Sequence, residues 1–174
     1  HKQTGVYSAI DAGLNATVFA LALAPNGDLY VGGSFTNASG VAAADYLAVL
    51  VKGATSFTAV GVPVSGSAAI TSVFALAFDA LGNLYIGGDF ADWANIAAAV
   101  NIVMWDGSGY SALSTGLGTG VVFALTTYGV TLYAGGEFTG LLVSWDGSSF
   151  TTIPDIASTV LSLVVDSTGI LYAR

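Results

Sequence analysis

The chain has 174 residues, 54% of them hydrophobic and only 8% charged, with 23 glycines and no cysteine. An average domain carries about 25% charged residues, so this composition excludes intrinsic disorder, which needs the opposite balance, and the length suits one domain with a real core. Three basic residues against eleven acidic ones leave a net charge of −8, which excludes the Lys/Arg stripe that nucleic acid demands and disfavours an anionic membrane surface.

No apolar run approaches the ~20 residues of a bilayer span, so membrane insertion is not expected. The lack of cysteine removes disulfides, thiolate chemistry and cysteine-ligated zinc together. The opening His1-Lys2-Gln3-Thr4-Gly5 is polar and reads as a processed N-terminus or as part of a longer chain. Val6-Tyr7-Ser8-Ala9-Ile10 follows and resembles a later segment, Tyr110-Ser111-Ala112-Leu113. It is expected to be a lone strand of an incomplete unit at 1–13.

From Val18 onward the chain repeats a four-part unit. Its first strand is Val18-Phe19-Ala20-Leu21-Ala22-Leu23, echoed by Val73-Phe74-Ala75-Leu76, Val122-Phe123-Ala124-Leu125 and Val160-Leu161-Ser162-Leu163. A turn rich in Gly, Asn and Asp comes next, the residues that supply the backbone of tight hairpins. The second strand carries the most regular signature: Leu29-Tyr30-Val31-Gly32-Gly33, Leu84-Tyr85-Ile86-Gly87-Gly88 and Leu132-Tyr133-Ala134-Gly135-Gly136, with a fourth start at Leu171-Tyr172-Ala173. A glycine pair inside a strand costs stability unless a bend or a close backbone approach requires it. The third strand ends in Trp-Asp-Gly at Trp105 and Trp145, and in Val51-Lys52-Gly53 in the first unit. A short fourth strand closes each unit.

The first strands start about 40 to 55 residues apart, near the period of four-stranded propeller blades. The expected fold is an all-β propeller of four-stranded antiparallel blades. Three complete blades are expected at about 18–62, 72–115 and 121–156, with partial blades at 1–13 and 159–174. The continuous apolar runs suit strands covered on both faces. Three closures are open: one composite blade from both ends, blades shared between chains, or a fragment of a longer array. No third strand is evident for a composite blade, which favours sharing or a fragment.

The sequences Val73-Phe74-Ala75-Leu76-Ala77, Gly82-Asn83-Leu84-Tyr85-Ile86-Gly87-Gly88-Asp89-Phe90 and Trp105-Asp106-Gly107-Ser108-Gly109-Tyr110 resemble the repeats of large secreted and cell-surface propellers. Kelch-like and fungal cortical-marker-like proteins carry such repeats, as do similar arrays in bacterial and giant-virus surface proteins. The resemblance implies an extracellular, cell-surface or particle-surface protein, and it implies no particular activity, because these repeats serve adhesion, assembly and scaffolding alike.

No catalytic set is expected. Asp28, Asp79, Asp106, Asp146 and Asp166 lie in turns, where their chemistry is structural. Asp89 and Glu137 are the best acidic pair for glycoside hydrolysis, yet repeat equivalence alone places them in register. The single histidine is His1 and the single arginine Arg174, too few for a triad or for an arginine cluster that binds carboxylate. No metal site or cofactor is expected, since the dense alternating Asp pattern of a calcium loop is missing. The long loops after the second strand, 36–45 and 91–100, are the expected binding rim. Asp92, Trp93 and Asn95 form the candidate binding cluster, because an indole can stack on a sugar or anchor a protein partner. Asn15 and Asn37 head glycosylation sequons. Expected partners are further copies of the chain, other surface proteins or glycans.

Overall fold

The computed structural model describes residues 13–61 and 70–174. It is all-β, with fourteen strands in four antiparallel sheets. The first sheet contains β1 (Val18–Leu23), β2 (Leu29–Gly33), β3 (Leu47–Leu50) and β4 (Thr58–Ala59). The second contains β5 (Ile70–Phe78), β6 (Leu84–Phe90), β7 (Ile102–Trp105) and β8 (Tyr110–Ala112). The third contains β9 (Gly120–Tyr128), β10 (Thr131–Phe138), β11 (Leu142–Trp145) and β12 (Phe150–Thr152). A two-stranded sheet of β13 (Leu163–Val165) and β14 (Leu171–Ala173) completes the series. Each four-stranded sheet is a simple meander in chain order, the arrangement that short hairpin turns dictate.

Among the described residues the sheets number four: three of four strands, as expected, and one of two strands within the partial unit expected at 159–174. The expected N-terminal fragment at 1–13 falls almost wholly outside the described residues. Among those residues the series is open: the first sheet does not pack against the fourth as successive sheets do, and Leu21 on one side and Leu161 and Val164 on the other are exposed.

Successive sheets pack through their first strands. β5 lies against β1 and β2, β9 against β5 and β6, and β13 against β9 and β10. The middle second strand is covered on both faces, with Leu84 to Gly88 all buried, as its unbroken apolar run requires. Cross-sheet hydrogen bonds add to this packing. The Tyr110 hydroxyl donates to the Val60 carbonyl at 2.6 Å, and Thr127 Oγ1 donates to the Phe78 carbonyl at 2.7 Å.

The glycine pairs explain the repeat. At each first glycine a Cβ would meet a valine in, or for Val160 just before, the next sheet's first strand, with Cγ1 2.5 Å away in all three cases: Gly32 to Val73, Gly87 to Val122, Gly135 to Val160. Each second glycine faces its own sheet instead. A Cβ on Gly33, Gly88 or Gly136 would collide with the carbonyl oxygen of Thr17, Ser72 or Val121. That crowding arises at a bulge in the first strand. Phe19, Phe74 and Phe123 are each the extra residue between two paired neighbours, and a bulge twists and bends its strand locally. The three rings then line up across the sheets, with centroids 4.8 Å and 5.5 Å apart. In the Val-Phe-Ala-Leu motif, therefore, Val and Leu seat on the preceding sheet and Phe builds an aromatic ladder.

Candidate functional site

The turn carboxylates act on their own backbone. Asp106 Oδ1 accepts from the Ser108 and Gly109 amides and the Ser108 hydroxyl, each at 2.8 Å. Asp146 does the same with Ser148 and Ser149, and Asp166 with Thr168 and Ile170. These donors favour the charged form. The Ser149 and Ser148 amides hold the Asp146 carboxyl down to about 2, and Gly109 and Ser108 lower that of Asp106. A general acid for neutral pH needs the opposite shift, so these groups suit turn closure and not proton delivery. Asp79 is buried and accepts from the Leu81 and Asn83 amides, the Asn83 side chain and the Tyr85 hydroxyl. Burial, reinforced by the Asp79 charge, pushes the Tyr85 phenol up to about 12.

The expected binding cluster is divided by the fold. Asp92 and Asn95 are exposed, whereas Trp93 is 0% exposed. Its indole packs against Phe90 and Tyr110, with ring centroids 4.8 Å and 5.8 Å away, and it belongs to the core shared by the first two sheets. An indole without accessible surface cannot stack on a sugar, so Trp93 is no surface anchor. Among the described residues its Nε1 has no hydrogen-bond partner.

The two long loops follow one backbone plan and not two variable ones. Asn37 and Asp92 are both left-handed, as are Ser39 and Ala94, and Gly40 and Asn95. The residue between the first two, Ala38 or Trp93, is buried in each. Its amide donates to the carbonyl of Ala44 or Ala99, and the Val41 or Ile96 amide donates back to its carbonyl. The loops are thus hydrogen-bonded extensions of the repeat. The first loop carries one sequon, with Asn37 exposed at a left-handed position, and touches the other: Asn15 Nδ2 donates to Thr36 Oγ1 at 3.0 Å while the Thr36 amide donates to Asn15 Oδ1.

Asp89 and Glu137 sit at the ends of β6 and β10. Asp89 Oδ2 accepts from Thr71 Oγ1 at 2.7 Å, and Glu137 is exposed. Among the described residues no three His, Cys, Asp or Glu side chains cluster as metal ligands would.

Concave surface occurs at both ends of the sheets: a cavity of about 470 Å³ beside the second long loop is lined by Asp89, Phe90, Ala91, Val100 and Asn101, and grooves lie between neighbouring sheets on the hairpin side. One of about 410 Å³ is lined by Tyr85, Asp79 and Leu81 of the second sheet and by Val130, Trp145 and Asp146 of the third. Its counterpart of about 350 Å³ between the first two sheets uses Tyr30, Pro25, Trp105 and Leu81. The Leu-Tyr and Trp-Asp-Gly motifs supply equivalent walls in both. Sequence reading alone does not find these grooves, whose only sequence signal is the pairing of two motifs from adjacent units. No protein-family model matches the chain, and no curated protein matches it.

Proposed function

We propose that the chain is a non-enzymatic structural and assembly protein of an extracellular, cell or particle surface. In this reading its sheets are β-propeller blades of a kelch-like type, and the open series joins further copies of itself. One observation carries the proposal. The terminal sheets leave large apolar side chains in solvent, Leu21 and Leu23 at one end and Leu161 and Val164 at the other. Such apolar surface at matching ends of a repeat marks a contact awaiting its partner. The charge-poor composition fits a surface covered by neighbours, and the turn carboxylates are engaged in structure.

The solution mass tests this. Light scattering across a concentration series should give multiples of the 17.4 kDa chain. A compact particle of one chain mass at all concentrations would overturn the assembly reading.

A second reading is a carbohydrate- or protein-binding adhesion module. The observation that favours it is the pair of equivalent inter-sheet grooves, beside which the cavity at the second long loop offers a place for a ligand on the expected rim.

A further inference from the structure

Three times within the chain, a Val/Leu pair on a first strand closes over the first glycine of the preceding sheet. Val122 and Leu125 are typical: a Cβ on Gly87 would lie 2.5 Å from the valine Cγ1 and 3.2 Å from the leucine Cδ1. Val18 and Leu21 are the same pair on β1, with no described sheet in front of them. Val18 is 37% and Leu21 64% exposed, whereas Val73 and Val122 are each 0%. Phe19, 47% exposed, is the open end of the aromatic ladder. The β1 face therefore carries an interface whose complement is known from the chain itself.

That complement is the face of a second strand at the register of the first glycine. Gly32, Gly87 and Gly135 are already filled by the next sheet. The remaining second strand is β14, where Arg174 holds that register: it exchanges both backbone hydrogen bonds with Ser162, each 3.0 Å long, as Gly135 pairs with Ala124. The sheet around it leaves Leu161 and Val164 in solvent.

We propose that the β1 face of one copy docks on the β13–β14 sheet of a second copy, placing Val18 and Leu21 over residue 174. This rests on the assembly reading above and adds the surfaces and the register. The contact is heterologous, so it closes into a ring or propagates into a fibre according to the rotation it imposes. Counting only the described sheets, two series of four would make an eight-sheet ring, within the range of about four to eight blades that propellers span. At the joint, Arg174 is a restraint. Its Cβ falls where the three equivalent contacts leave room for a valine methyl, so the copies meet less closely than sheets within one chain.

Sedimentation of wild type, Arg174→Gly, Val18→Asp and the double variant tests the proposal. Arg174→Gly should tighten association about tenfold or more, by removing an overpacked Cβ. Val18→Asp should leave a single-chain species in either background. Both positions are exposed, so an unchanged far-UV circular dichroism spectrum and thermal midpoint separate lost docking from lost folding. If wild type associates and neither substitution alters its mass, the docking surface is wrong and the assembly reading stands. If neither wild type nor Arg174→Gly exceeds one chain mass, both fail.

Discussion

Replacing Gly88 with alanine should cost about 3 kcal/mol or more of folding stability, at the upper end of overpacking substitutions. The new Cβ would collide with the Ser72 carbonyl oxygen and lie 3.1 Å from Val73 Cα. Both obstacles are backbone, in the bulged first strand paired with β6, so no rotamer change relieves them. The Gly88 amide also donates to the Asn101 carbonyl, which ties the same position to the entry of β7. Moving Gly88 away from Ser72 would strain that bond as well. Urea unfolding followed by circular dichroism measures the effect, with Gly109→Ala as control. Nothing lies within 4 Å of a Cβ at Gly109, and its backbone is outside the left-handed region, so the control should stay within about 0.5 kcal/mol. Equal midpoints for the two variants would refute the crowding.

Trp93→Ala should cost about 3–5 kcal/mol, the range for emptying a large aromatic site in a core. The first unit already has alanine here, Ala38, buried on the same loop plan. The loop backbone therefore accepts alanine, and the loss falls on packing, where Phe90 and Tyr110 would face a void. Denaturant midpoints of the variant and wild type decide the matter. A change within about 0.5 kcal/mol, the usual range for surface substitutions, would mean that the indole is not a core group.

The period of the Leu-Tyr-x-Gly-Gly strand was enough to place most strands, because hairpin turns and apolar runs are local signals. β1 matches its expected bounds, and the three Trp-Asp-Gly or equivalent turns fall between third and fourth strands as expected. Even the need for close approach at the glycines was legible. What approaches them was not: Val122 reaches Gly87 from another sheet and Ser72 reaches Gly88 across a bulge, and neither separation leaves a mark on local sequence. Trp93 was ambiguous for a different reason. An indole in a polar-looking loop serves equally to bind or to fill, and only burial separates the two. The shared plan of the loops was hidden by unlike residues, since Ser39 and Ala94 reach the same left-handed conformation without the glycine that advertises it. Similarly, the aspartates of the turns could be read from Asp-Gly and Asp-Ser, whereas the grooves formed by Tyr85 with Trp145 needed the neighbouring sheet.

The claim on which the account rests is that a first glycine is a seat for the next sheet's valine. A double-mutant cycle on Gly87→Ala and Val122→Ala tests it most directly. Val122 is fully buried, and its Cγ1 lies 2.5 Å from a Cβ at Gly87. Each single variant should destabilise the protein by about 1–3 kcal/mol, one by overpacking and the other by a cavity. The double variant trades one methyl for the other across the same contact. It should be more stable than the two losses together predict, by about 1–2 kcal/mol of coupling. Additivity within about 0.3–0.5 kcal/mol, as for sites that do not touch, would contradict the seat and with it the proposed docking of one copy on the next.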